Sequence, residues 1–84
     1  MSKSAINHDE QAKRAVLLAI DAGGGPTELA RKLTEVGKPI TGQAIHQWAK
    51  VPPYRVLDVE RVTGLPRSVL RPDLYPDEKT RQRA

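Results

Sequence analysis

Thr27-Glu28-Leu29-Ala30-Arg31-Lys32-Leu33, closed by Gly37, and Ile40-Thr41-Gly42-Gln43-Ala44-Ile45-His46-Gln47-Trp48, closed by Pro52-Pro53, are the two segments that decide the fold. In the first, Pro26 suits an opening helical position, and Thr27-Glu28 puts a hydroxyl and a carboxylate where unpaired N–H groups and the helix dipole favour them. Leu29, Ala30, Leu33 and Val36 share one side, with Arg31, Lys32 and Glu35 on the others. That spacing predicts a helix over Pro26–Val36, stopped by Gly37 and by Lys38-Pro39. In the second segment Thr41 is an N-cap. Ile45, Trp48 and Ala49 join Ile40 in an apolar group, and Gln43, His46, Gln47 and Lys50 lie elsewhere, which predicts a helix over 42–49 with a polar face.

Working outward, Asn7 with Glu10 three residues on resembles a capping box, and Ala12, Ala15, Val16, Ala19 and Ile20 repeat at helical spacing with Leu17 and Leu18 widening the apolar face. A helix over His8–Ala22 follows, ended by Gly23-Gly24-Gly25. Downstream, Pro53 opens a helix over 53–63 in which Val56, Leu57, Val59 and Val62 face inward and Arg55, Asp58, Glu60 and Arg61 are solvated; Gly64 stops it. Residues 66–70 make one further short helical turn. The expected architecture is all-α, a compact bundle of about five short helices containing a helix-turn-helix, with residues 1–76 as the domain and residues 77–84 as a frayed polar tail.

The chain has 84 residues, enough for one small domain, with 38% hydrophobic and 29% charged residues and no cysteine. Disulfides, thiolate zinc sites and cysteine nucleophiles are thereby removed together. His8 and His46 stand alone, so no metal site is expected. Gly23-Gly24-Gly25 lacks the lysine and preceding strand of a phosphate-cradling loop, and no spacing nominates a catalytic triad; neither an enzyme nor a cofactor is expected. No apolar run approaches the roughly 18 residues of a membrane span, and Asp9-Glu10 interrupts what would be the centre of a secretion signal, so a soluble, cytoplasmic protein is expected.

Fourteen Lys and Arg against ten Asp and Glu leave a formal charge of +4, the sign suited to a polyanion. The excess lies in the middle and end of the chain. A polar helix face beside a second helix that begins with Pro26-Thr27 is the arrangement that lets one helix enter a major groove while the other crosses the backbone. Gln43 and Gln47 share a face and can pair with the major-groove edge of adenine; His46 beside them can donate or accept, and Lys50 can meet phosphate or guanine. Thr41 and Gly42 allow close backbone approach. Thr27, with its hydroxyl and the free N–H groups of its turn, can hold a phosphate. Trp48 is read as core.

The two opening segments, with Val51-Pro52, Tyr54-Arg55, Glu60, Thr63-Gly64 and Leu70-Arg71-Pro72-Asp73-Leu74-Tyr75, resemble the YdaS-like members of the Cro and CI repressor superfamily over about residues 12–76. The resemblance implies a λ-repressor-like helix-turn-helix and a Cro-type repressor or antitoxin-type autorepressor of phage or prophage kind. It implies double-stranded operator DNA as the partner and a cognate toxin; because one such module covers little DNA, a homodimer, formed in solution or only on DNA, is expected on a palindromic site. Carried onto this chain, Ala30 becomes the small residue at the crossing of the two helices, with Leu33 and Ile40 beside it. Ile45 and Trp48 fix the second helix to the core, and Thr41, Gly42, Gln43, His46 and Gln47 face DNA. The chain departs from the family pattern between Leu33 and Ile40, where about five additional residues either lengthen the helix or form a loop. There Lys38 gains a phosphate contact.

Two further expectations concern partners. Leu65, Val69, Leu70, Leu74 and Tyr75 either supply a dimer contact or fold back to seal the core. The rival to DNA recognition is a small helical protein-binding module, toxin-neutralising or adaptor, using Arg67, Arg71, Tyr75, Arg81 and Arg83.

Overall fold

The computed structural model describes residues 8–76. It consists of α1 (His8–Ala22), α2 (Pro26–Val36), α3 (Gly42–His46), a single 3-10 turn (Pro53–Arg55), α4 (Val56–Thr63) and α5 (Arg67–Leu70), with no strand among the described residues. The all-α bundle expected from the sequence is the observed fold. The proposed Asn7 cap and the 77–84 tail lie outside the described residues.

Glycine sets the first corner. Gly24 and Gly25 have φ of 93° and 105°, a region costly for residues with a Cβ, and the Gly25 N–H reaches back to Ile20 O at 2.8 Å, so the chain reverses within three residues. Pro26 then starts α2 at once. Lys32, expected on the surface, is half-buried and donates to Gly23 O at 3.2 Å, which holds the corner against α2.

One core joins all five helices. Val16 and Ala19 of α1, Leu29, Ala30 and Leu33 of α2, Ile45 of α3, Val51, Val56 and Val59 around α4, and Leu70 of α5 form a single buried cluster. Ile20, Ile40, Trp48, Val62, Leu65 and Tyr75 pack around it half-buried. Each fully buried Val, Leu or Ile contributes roughly 1.5–3 kcal/mol of transfer free energy, so these side chains decide how the helices cross. Leu70 folds inward, with Leu65 and Tyr75 against the core; residues 65–75 therefore seal the bundle, and only Val69 and Leu74 of that group are exposed.

Six sequence expectations are corrected. Leu17 and Leu18 are about half exposed, because Val16, Ala19 and Ile20 define a single stripe and residues 17 and 18 fall on the opposite arc of the helix. Leu57 is exposed for the same reason beside Val56 and Val59. Arg55, expected in solvent, is 5% exposed, and Ala49 is exposed rather than apolar lining. Finally, α3 ends at His46 instead of 49: Gln47 and Trp48 donate to Ala44 O and Ile45 O three residues back, tightening the last turn. The chain must then extend so that Val51 enters the core and Pro52 follows it. The expected start of the fourth helix at Pro53 is a 3-10 turn, with Arg55 N–H on Pro52 O at 2.9 Å.

Candidate nucleic-acid interface

α2 and α3 are the most closely packed pair of elements. Their N-termini meet: a Cβ on Gly42 would lie a tight 3.1 Å from the backbone of Pro26 and Thr27, so the missing side chain lets α3 start close against the start of α2. Ala30, Leu33 and Ile45 are all buried in the one core cluster. Ile40 and Trp48 flank the core half-buried, at either end of α3. The five residues carried over as helix-turn-helix core are thus brought together.

The added residues between Leu33 and Ile40 divide in two. Thr34, Glu35 and Val36 extend α2 by a turn, and Gly37 to Ile40 form a connection. That connection is held by side chains: Thr34 Oγ1 accepts from Ile40 N–H at 3.1 Å and lies 3.3 Å from Ile40 O, while Arg55 Nη1 and Nη2 donate to Lys38 O and Pro39 O at 2.8 and 3.3 Å. Asp58 closes its other side, its Oδ2 only 2.6 Å from where a Gly37 Cβ would stand.

On α3, Thr41 Oγ1 accepts from Ala44 N–H at 3.1 Å, the N-cap expected from the sequence. Gln43, His46 and Gln47 are exposed, and Ile45 between them is fully buried. A single helical turn thus separates an anchored side from a side of amide and imidazole groups. Gly42 is half-buried, its close approach being to α2. Thr27 is exposed in the first turn of α2, whose N-cap position, Gly25, provides no side chain to satisfy the free N–H groups.

Charge around this face is partly cancelled. Arg31 on α2 pairs with both Glu28 and Glu35; its hydrogen bond holds the Glu28 carboxyl below the usual range, and Glu28 in turn raises Arg31. Arg31 and Glu35 are exposed and Glu28 is half-buried, so the pairing remains open to solvent and adds little to stability. Lys38 is exposed on the connection and outside the ion pairs among the described residues. Lys50 was expected one turn beyond His46, but with α3 ending early it lies in the following connection. There it lines a cavity of about 320 Å³ with Asp9 and Ala12 of α1 and Arg71 and Asp73.

Sequence reading missed three cations that hold this arrangement. Lys13 of α1 donates to Trp48 O at 3.0 Å and His46 O at 3.4 Å. Arg55 holds the α2–α3 connection. Arg71, 6% exposed, donates to Val51 O at 2.8 Å and grips both Asp73 oxygens at 2.9 and 2.7 Å. A signal for Arg55 existed: it stands four residues before Val59, on the core-facing stripe. Lys13 stands three before Val16, at the edge of its stripe.

Among the described residues no group of three or more His, Cys, Asp or Glu is placed to hold a metal ion, and no helix is long and apolar enough to cross a membrane. The family model described as Bacterial toxin YdaS matches residues 16–79 of the 84. No curated protein and no solved structure matches the chain.

Proposed function

The chain belongs to the bacterial toxin YdaS family, and from that premise we propose that it is a sequence-specific double-stranded DNA-binding transcriptional regulator that occupies a palindromic operator through α3. The observation that carries this reading is the division of α3 into a buried Ile45 side and an exposed Gln43, His46 and Gln47 side, beginning where α2 begins. Glutamine matches the donor and acceptor pair of adenine in the major groove, and His46 offers a further donor or acceptor. Thr41, exposed at the helix start, stands toward the base edges, while the close approach that Gly42 allows is to α2. Thr27, Lys38 and Lys50 take phosphates, which fix register without reading sequence.

Repression by occupancy follows. One such module covers roughly 600–1,000 Å² of DNA, little for operator-grade affinity, so two copies share a two-fold symmetric site, as a homodimer in solution or one formed on DNA. The protein is a Cro-like repressor or an antitoxin-type autorepressor of a toxin gene. The family's description as a toxin is accommodated by the same activity, since occupancy of an essential promoter arrests growth. In that case substitutions at Gln43 and Gln47 relieve the arrest together with DNA binding.

Selection from a pool of random duplexes at two salt concentrations tests the reading. The expected result is an enriched two-fold symmetric motif whose preference changes in Q43A, with a loss of about 1–3 kcal/mol on the preferred site. Equal losses on random and preferred DNA would remove Gln43 from base reading. Weak, salt-erased binding with no motif would sink the DNA reading and favour the alternative, a small helical protein-binding module.

A further inference from the structure

α3 is five residues long, and a single turn makes too few hydrogen bonds of its own to hold a direction. Both of its flanks are instead gripped by cations from outside the α2–α3 pair. Lys13 Nζ, on α1, reaches the carbonyls of Trp48 and His46 at 3.0 and 3.4 Å, oxygens left over by the end of the helix. Arg55, ahead of α4, holds Lys38 O and Pro39 O, just before the Thr41 cap, at 2.8 and 3.3 Å. Neither cation takes part in the ion pairs among the described residues, so their charge is directed at backbone oxygen. Arg55 is 5% exposed, which leaves its guanidinium little surface with which to touch a ligand.

We propose that Lys13 and Arg55 are positioning residues for the α3 face: they fix its direction by binding backbone oxygens at both ends and thereby set selectivity between DNA sequences without touching base or phosphate. The inference rests on the DNA reading above. Its physical basis is the different tolerance of two kinds of contact. Phosphate attraction falls off slowly with distance and has no preferred direction, so a loosened helix keeps it. A paired hydrogen bond from Gln43 or Gln47 to a base edge demands alignment, and a loosened helix loses it. Releasing the grip therefore lowers discrimination and leaves non-specific binding in place.

Lys13→Met keeps the length of the side chain and removes its donors; Lys13→Arg keeps a cationic donor. Both are compared with the wild-type chain in three measurements: amide exchange in the free protein, affinity for the selected and a scrambled duplex, and the salt slope of binding. For Lys13→Met the expectation is faster exchange at Ile45, Gln47 and Trp48, with the amides of α4 unchanged. The ratio of selected to scrambled affinity falls by at least about fivefold, the low end of what one paired base contact contributes. The salt slope stays where it was, and Lys13→Arg restores the ratio.

Equal weakening on both duplexes, with the salt slope reduced by about one, would overturn the proposal in favour of a direct phosphate contact by Lys13. Unchanged exchange and an unchanged ratio would overturn it outright. A wild-type chain that shows no preference between duplexes removes the DNA reading and the selectivity claim with it, while exchange still decides whether Lys13 holds α3. Arg55→Met repeats the test from the other end. If that variant melts below the assay temperature, the Lys13 pair alone decides.

Discussion

Arg71 sits in the seam between the α3–α4 connection and the segment that follows α5, with Nη1 on Val51 O and Nε and Nη2 on the two oxygens of Asp73. Its hydrogen bonds hold the Asp73 carboxyl down at about 2, against an ordinary value of 3.8, and Asp73 raises Arg71 in return. A depressed carboxyl stabilises the fold above its ordinary pKa and loses that contribution as pH falls from about 4 through about 2. The Asp73 side chain is 51% exposed, so after solvent screening the contribution is about 1 kcal/mol. Thermal melts across that window should show stability falling in the wild-type chain and a flatter profile in D73N, the two converging at the acid end. In the sequence Arg71 reads as part of a family motif and as a candidate partner contact but not as a buried clamp, because what gives it that role is Val51 O, twenty residues away. Asp73 was legible as part of a motif but not as the partner of a buried cation.

At the scale of elements, the contact between α2 and α3 turns on one missing methyl group. Gly42→Ala should raise helix propensity by up to about 1 kcal/mol, yet its Cβ would stand 3.1 Å from the backbone of Pro26 and Thr27, atoms that cannot rotate away. We expect net destabilisation of about 1–3 kcal/mol in urea unfolding, together with weakened DNA binding as the helix starts are pushed apart. A variant as stable as the wild type would mean that the two helices separate freely. The end of α1 and both bounds of α2 were legible because glycine and proline punctuate them locally. The end of α3 was not. Residues 47–49 continue the helical pattern, and what stops them is tertiary: Val51 must enter the core and Lys13 captures the last carbonyls. The exposure of Leu17, Leu18 and Leu57 was missed for the opposite reason, that apolar residues were counted inward without asking how wide a stripe a bundle this small can cover.

Across the whole molecule, ion pairing sorts the cations into those spent on structure and those left for a partner. Arg31, Arg67 and Arg71 are each tied to carboxylates, and Arg67 also lies 5.5 Å from the Tyr75 ring centre. Lys38 and Lys50 are exposed and outside such pairs. Arg14 of α1 and Arg61 of α4 are likewise exposed and outside the ion pairs among the described residues, so the free positive charge is not confined to the α2–α3 side. The one-turn length of α3 bears on the order in which the chain acquires structure. A helix that short, gripped by side chains of α1 and of the turn before α4, has no nucleus of its own and must wait for its neighbours to dock. Substitutions on its exposed side should leave the refolding rate untouched, and Lys13→Met should act almost wholly by speeding unfolding, a split that stopped-flow chevrons resolve. Evolution can therefore rewrite Gln43, His46 and Gln47 with the route to the native state left intact, and a peptide cut at residues 26–52 should show no stable helix at all.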